Sequence, residues 1–270
     1  MKRRRSKMTI FLRELIRNRK TFIIWAVISL VFCIYALALY PYMYNNMDII
    51  IQKAPPDVMK AFGMSDLNMQ EILGYFGGYA YQFVGLFGAI FITILAAGIL
   101  SKEEGEKTIE FLLAKPVTRK NIVTGKLLSV LFYMGLFNAV VFIADLILIE
   151  SVKKSDYDMK VFLLLSAGML LLQLTFASIG FLLSVFIVKA KSIMPAAVGI
   201  VLGGYMLNML AGLSEKTEYL KYITPFKYVN AGDIIRNGGI SWVYLLIMAV
   251  VVTGCIAAAY ILYDRKNITV

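Results

Sequence analysis

Apolar residues fall along this chain in long blocks, and polar ones collect between them. Six blocks reach the roughly 20 residues a helix needs to cross a hydrocarbon core: Phe22 to Tyr40, Tyr81 to Leu100, Leu127 to Ile149, Val161 to Val188, Ile193 to Leu213 and Trp242 to Tyr263. Nearly all charge lies outside them. Their interiors lack the alternation of barrel strands, and a backbone in lipid must satisfy its own hydrogen bonds, so they predict helices. The expected fold is an all-α integral membrane protein, one transmembrane domain over residues 1–270 with six spans.

The segment ahead of the first block, residues 1–20, has a helical period of its own. In MTIFLRELIRNRK, Met8, Phe11, Leu12 and Leu15 share one face while Arg13, Glu14 and Arg17 lie roughly opposite. That pattern fits an amphipathic helix lying in the membrane interface. A basic cap that only sets topology explains the cluster Lys2, Arg3, Arg4 and Arg5 equally well. The first block is too long for the apolar core of a signal peptide. Tyr40-Pro41-Tyr42-Met43-Tyr44 also lacks the small residues of a cleavage site, so the block is expected to stay as a mature helix. Its aromatic cluster, echoed by Tyr75, Phe76, Tyr79 and Tyr81, suits a membrane-interface belt.

Composition agrees with the spans. Hydrophobic residues make up 60% of the chain and charged ones 17%, with a mean hydropathy of +0.74, too little polar material to cover a water-facing globule. The net charge of +11 points to nucleic acid only if the basic residues form one solvated face. They are instead scattered between apolar blocks, and no nucleic-acid partner is expected. Of the 28 Lys and Arg residues, 19 fall on the side that holds both ends and the second-to-third connection, and 9 on the other. The positive-inside bias therefore puts both termini, and the loop over residues 101–120, in the cytoplasm.

That loop departs most sharply from the rest. EEGEKTIEFLLAKPVTRKNIVTGK, Glu103 to Lys126, packs nine charged residues and a proline between two apolar blocks. Gly105, Ile109, Leu112 and Leu113 form a short apolar strip on a helix, with Glu103, Glu106, Lys107 and Glu110 turned mostly elsewhere. Pro116 ends that helix, because its ring removes a donor and pushes Lys115 toward an extended conformation; Thr118 can then cap the next helix. A strip of this kind suits either a partner protein that receives it or the lipid headgroups, and periodicity does not choose between them.

Other chemistry is sparse. A phosphate loop needs G-x-x-x-x-G-K-[ST]; Gly125-Lys126 is followed by Leu127 and has Lys120 where the first glycine belongs, so no ATPase site is expected in this chain. Histidine is absent, and Cys33 and Cys255 sit alone in separate spans as packing residues. Asp145 is the only acidic residue in any span, a functional candidate that also lies near enough to its helix end to snorkel outward. Gln173, Thr175 and Ser178 in the fourth span suit a translocation path or interhelical hydrogen bonds. Gly199 and Gly203 permit close helix contact, across a dimer or otherwise. Glu215 to Gly239 carries Tyr219, Leu220, Tyr222, Ile223, Phe226 and Tyr228, enough apolar surface to rest on the outer leaflet.

The string Glu104, Thr108, Glu110, Leu112-Leu113, Pro116-Val117, Arg119, Ile122 and Gly125-Lys126 resembles the loop signature of ABC-2 type transporter permeases. Lys107 stands where that pattern has a glycine. The likeness extends to the six spans, the N-terminal helix, Thr224-Pro225-Phe226 and the tail Asp264-Arg265-Lys266. The resemblance implies a coupling helix that seats on a separate ABC ATP-binding subunit. Ile109, Leu112 and Leu113 would be its ridge, with Glu103, Glu104, Glu106, Thr108 and Glu110 beside it and Pro116 as its elbow. Arg119 and Lys126 would hold the base of the third span, unless they are plain positive-inside anchors. It also implies ATP and magnesium on the partner and none bound here, a second permease as homodimer or sister chain, export across a bacterial cell membrane, and a gate near Pro225 and Phe226. A scaffold or signalling subunit that binds a partner without moving solute is the competing expectation.

Overall fold

The computed structural model describes residues 2–53, 55–101, 118–187, 189–213 and 215–266, and every regular element among them is helical. Helix α1 (Lys2–Ala38) runs almost directly into α2 (Tyr40–Lys53). After the short α3 (Pro56–Ala61), a second span is built from α4 (Ile72–Phe76), a π-helical turn (Gly77–Tyr81) and α5 (Gln82–Ile99). Then come α6 (Arg119–Val152), α7 (Met159–Phe186) and α8 (Ile193–Leu213). Two short helices, α9 (Pro225–Tyr228) and α10 (Ala231–Asn237), precede α11 (Trp242–Arg265). Among the described residues six helical stretches are long and apolar enough to cross a membrane, and each overlaps one expected block.

The span edges differ where polar residues continue a helix that no breaker stops. The expected interfacial helix and the first span form one helix, because Asn18, Arg19, Lys20 and Thr21 between them include neither proline nor glycine. Its inward face is a single stripe: Ile10, Glu14, Asn18, Ala26, Ser29, Cys33 and Leu37 are buried, while Leu12 and Ile16 are exposed. Glu14, expected on the polar face, is thus on the buried one. The third span starts eight residues early, at Arg119, where the Thr118 side chain accepts from the Asn121 amide at 3.3 Å and caps the helix as expected.

The second span is the axis of the bundle, with 78% of its apolar window buried against 11% for the last span. Its partner α7 approaches closely at Gly180, where an added Cβ would lie 2.9 Å from the Thr93 carbonyl oxygen. Small residues permit such contacts, and dispersion rather than hydrophobicity holds helices together in lipid. Rings bridge the neighbours: Phe91 meets Phe137 at 5.4 Å and Phe22 at 6.2 Å. Gly199 and Gly203, by contrast, would place a Cβ with nothing within 4 Å and make no close helix contact among the described residues.

Candidate functional site

The described ends of the charged loop are Ser101, on leaving the second span, and Thr118, on entering the third. Around these two feet the chain gathers several of its buried polar groups, Glu14, Asn18 and Lys126 among them. Lys126, one turn-pair into α6, is completely buried, and its ammonium donates to Glu14 Oε1 of α1 at 3.2 Å and to the Ile99 carbonyl at the end of α5. The other carboxylate oxygen, Glu14 Oε2, accepts from Asn18 Nδ2 at 3.2 Å, and the same amide reaches the Glu14 carbonyl at 2.9 Å. The Tyr133 hydroxyl donates to the Leu15 carbonyl, and Phe11 packs edge-on against Phe132 at 5.8 Å. A buried ion pair persists only when its lone pairs and protons are also satisfied, as they are here by backbone and amide. One lysine therefore fastens three helices at the root of the loop.

The returning foot is fastened as well. Arg119 Nη1 lies 3.3, 3.0 and 2.7 Å from the carbonyl oxygens of Tyr263, Asp264 and Lys266, three acceptors at the C-terminal end of α11 and its cap. A cation there also meets the negative end of the helix dipole. Lys266 Nζ in turn donates to the Val185 carbonyl near the end of α7 at 2.8 Å. The Thr124 hydroxyl meets the Tyr260 hydroxyl at 2.8 Å one turn deeper.

Residues 8–268 match the family described as ABC-2 family transporter protein. The chain belongs to the ABC-2 transporter family. A comparison with curated proteins finds no match. It is accordingly the membrane-embedded permease component of an ABC transporter, a kind of subunit that works with an ATP-binding partner and is generally not itself catalytic.

Of the coupling residues expected from sequence, Glu103, Glu104, Glu106, Thr108, Ile109, Glu110, Leu112, Leu113 and Pro116 lie outside the described residues. Arg119 and Lys126 both fasten the feet of the loop, Lys126 as a buried pair member rather than a surface anchor. Helical periodicity turns Glu14 to the polar face and gives Asn18 no role, so neither is expected at this junction. A usable signal existed, since Glu14 is the only acidic residue among the nine basic ones of the first twenty.

The remaining candidates of the ABC-2 permease sit deeper. Asp145 does not snorkel: α6 continues for two turns beyond it, and the side chain is 3% exposed beside Cys33 of α1. Gln173 is buried and bound to Asn138 of α6, whose Nδ2 donates to its Oε1 at 2.8 Å. At the end of the bundle away from the loop, Pro225 opens α9 and is buried, and Phe226 packs at 5.3 Å against both Phe176 and Tyr205. The segment therefore does not simply lie on a leaflet. Tyr219, Tyr222 and Ile223 are exposed, but Phe226 and Tyr228 are drawn between the spans. Thr224 Oγ1 donates to the Gly204 carbonyl, at 2.7 Å, and the Tyr81 hydroxyl to the Val229 carbonyl, also at 2.7 Å, and these hold the segment in place.

Proposed function

We propose that this ABC-2 permease is the membrane half of an ATP-driven exporter, whose loop over residues 101–120 seats in a separate ATPase subunit that carries the ATP and magnesium. Both termini and the loop lie in the cytoplasm of the cell membrane, and a second permease, identical or sister, completes the pathway. Export is the direction the loop resemblance favours. The observation that supports coupling through the loop is the Lys126 junction, which ties Glu14 of α1 and the Ile99 carbonyl of α5 to α6. A push on the loop cannot tilt one of these helices without moving the others or exposing a buried charge.

The test is affinity co-purification from native membranes, comparing wild type with Leu112→Asp/Leu113→Asp. Coupling through this loop requires an ATP-binding subunit to accompany the wild type and to be lost from the double variant. An intact partner on the double variant, or no ATPase with either folded protein, sinks the proposal.

A further inference from the structure

A cleft of about 280 Å³ opens between α6 and α7. Asn138, Asp145 and Ser166 bring polar groups to it, Phe142 and Leu170 are among its apolar walls, and the exposed Ala139 stands at its mouth. Two of the three polar groups have partners within the chain: Asn138 Nδ2 donates to Gln173 Oε1, and the Ser166 hydroxyl donates to the Phe162 carbonyl at 2.9 Å. Asp145 differs. The residue is 3% exposed, and its Oδ1 has no hydrogen-bond partner among the described residues. The Cys33 thiol hydrogen-bonds the carboxyl group but brings no positive charge, so no cation partner is shown for it. Lys153, the basic residue nearest in sequence, is held elsewhere by Glu150 at 2.9 Å and Asp156 at 3.5 Å.

An acidic side chain buried in a hydrocarbon-facing helix is costly unless something offsets it, and such residues ordinarily pair with a cation. We infer that Asp145 is the anionic end of a membrane-embedded site for a small organic cation, an ammonium carrying an apolar body. The ammonium pairs with the carboxylate, the Phe142 ring adds a cation-π face, and the apolar body fills the space along Leu170. The volume is close to the lower end of small-molecule pockets, about 300 Å³. A metal ion fits less well, because no group of three or more potential ligands occurs among the described residues. The inference does not depend on the coupling proposal, since it concerns binding alone.

The experiment is saturation binding of radiolabelled benzyltrimethylammonium to the full chain in phosphatidylcholine nanodiscs, without nucleotide. Its uncharged carbon isostere, neopentylbenzene, serves as competitor. Saturable binding is expected for wild type, with affinity kept in Asp145→Glu and weakened about tenfold or more in Asp145→Asn. Neopentylbenzene should not displace the cation. Ala139→Phe, which fills the mouth without touching the carboxylate, should also abolish binding and covers the case in which the Asp145→Asn protein fails to fold. Equal affinity in wild type and Asp145→Asn, displacement by the neutral isostere, or no saturable binding to folded wild type, as when a second copy covers the cleft, overturns the inference.

Discussion

The ammonium of Lys126 stands 3.2 Å from Oε1 of Glu14, and the two side chains are 0% and 2% exposed. A pair so completely withdrawn from water is expensive to break from one side, at about 3–5 kcal/mol, yet its joint replacement by apolar residues is often neutral. Lys126→Met alone is therefore expected to lower thermal stability sharply in detergent. Adding Glu14→Leu should restore most of the loss, because Asn18 keeps its bond to the Glu14 backbone carbonyl, at 2.9 Å, whatever the side chain. Thermal melts of the four proteins of this cycle check it; simple additivity of the two changes would show that the pair does not act as a unit.

Arg119 gives a different expectation, because its acceptors are three carbonyls rather than a charge. Arg119→Ala should release the last turn of α11 while leaving the other spans intact, at a cost of about 1.5–3 kcal/mol, typical of hydrogen bonds from a charged donor. Hydrogen exchange over Tyr263 to Lys266 is the readout. Arg119→Lys should protect only partly, since an ammonium lacks the planar fork that reaches several acceptors. Unchanged exchange in Arg119→Ala would mean that the α11 terminus is held by other groups.

Close approach between α5 and α7 is testable by volume. A Cβ at Gly180 meets the Thr93 carbonyl at 2.9 Å and the Ala96 methyl at 3.2 Å, and a backbone oxygen cannot step aside. Gly180→Val is expected to destabilise by about 1–3 kcal/mol through overpacking. Gly135, with nothing within 4 Å, is the control: Gly135→Ala should be neutral or slightly stabilising, since alanine is the better helix former. Equal effects at both glycines would refute the packing argument.

The six spans were legible in the sequence because hydrocarbon thickness sets a length that composition must obey, and each expected block overlaps its observed helix. Thr118 was legible too, its hydroxyl and the preceding proline being local signals. What local pattern could not show was pairing across the bundle. Glu14 falls opposite an apolar stripe, and amphipathicity alone turns it to solvent; its partner is 112 residues away on α6. Asp145 misled for a related reason, because the apolar block ends at Ile149 while the helix runs on to Val152. The same limit applies to Phe226 and Tyr228, whose burial depends on where α7, α8 and α11 stand rather than on their own neighbours in sequence.

At the far end Phe226, Gly85 and Leu172 help to line a small, partly open pocket of about 30 Å³, room for a water molecule or two. Truncating a buried phenylalanine costs about 3–5 kcal/mol as a packing defect alone, so loss of stability does not reveal a gate. Access does. In a background with Cys33 and Cys255 replaced by alanine, a cysteine at Leu172 should resist a membrane-impermeant thiol reagent, because the position is 4% exposed and lines the same pocket as Phe226. Adding Phe226→Ala should make that cysteine reactive from the far side, while Tyr219→Ala, on the exposed part of the same segment, should not. If Leu172→Cys stays unreactive in the Phe226→Ala protein, the ring is filling space and the seal lies elsewhere. If it reacts with both, the segment around Phe226 opens spontaneously on the labelling timescale and Phe226 is not what keeps it shut.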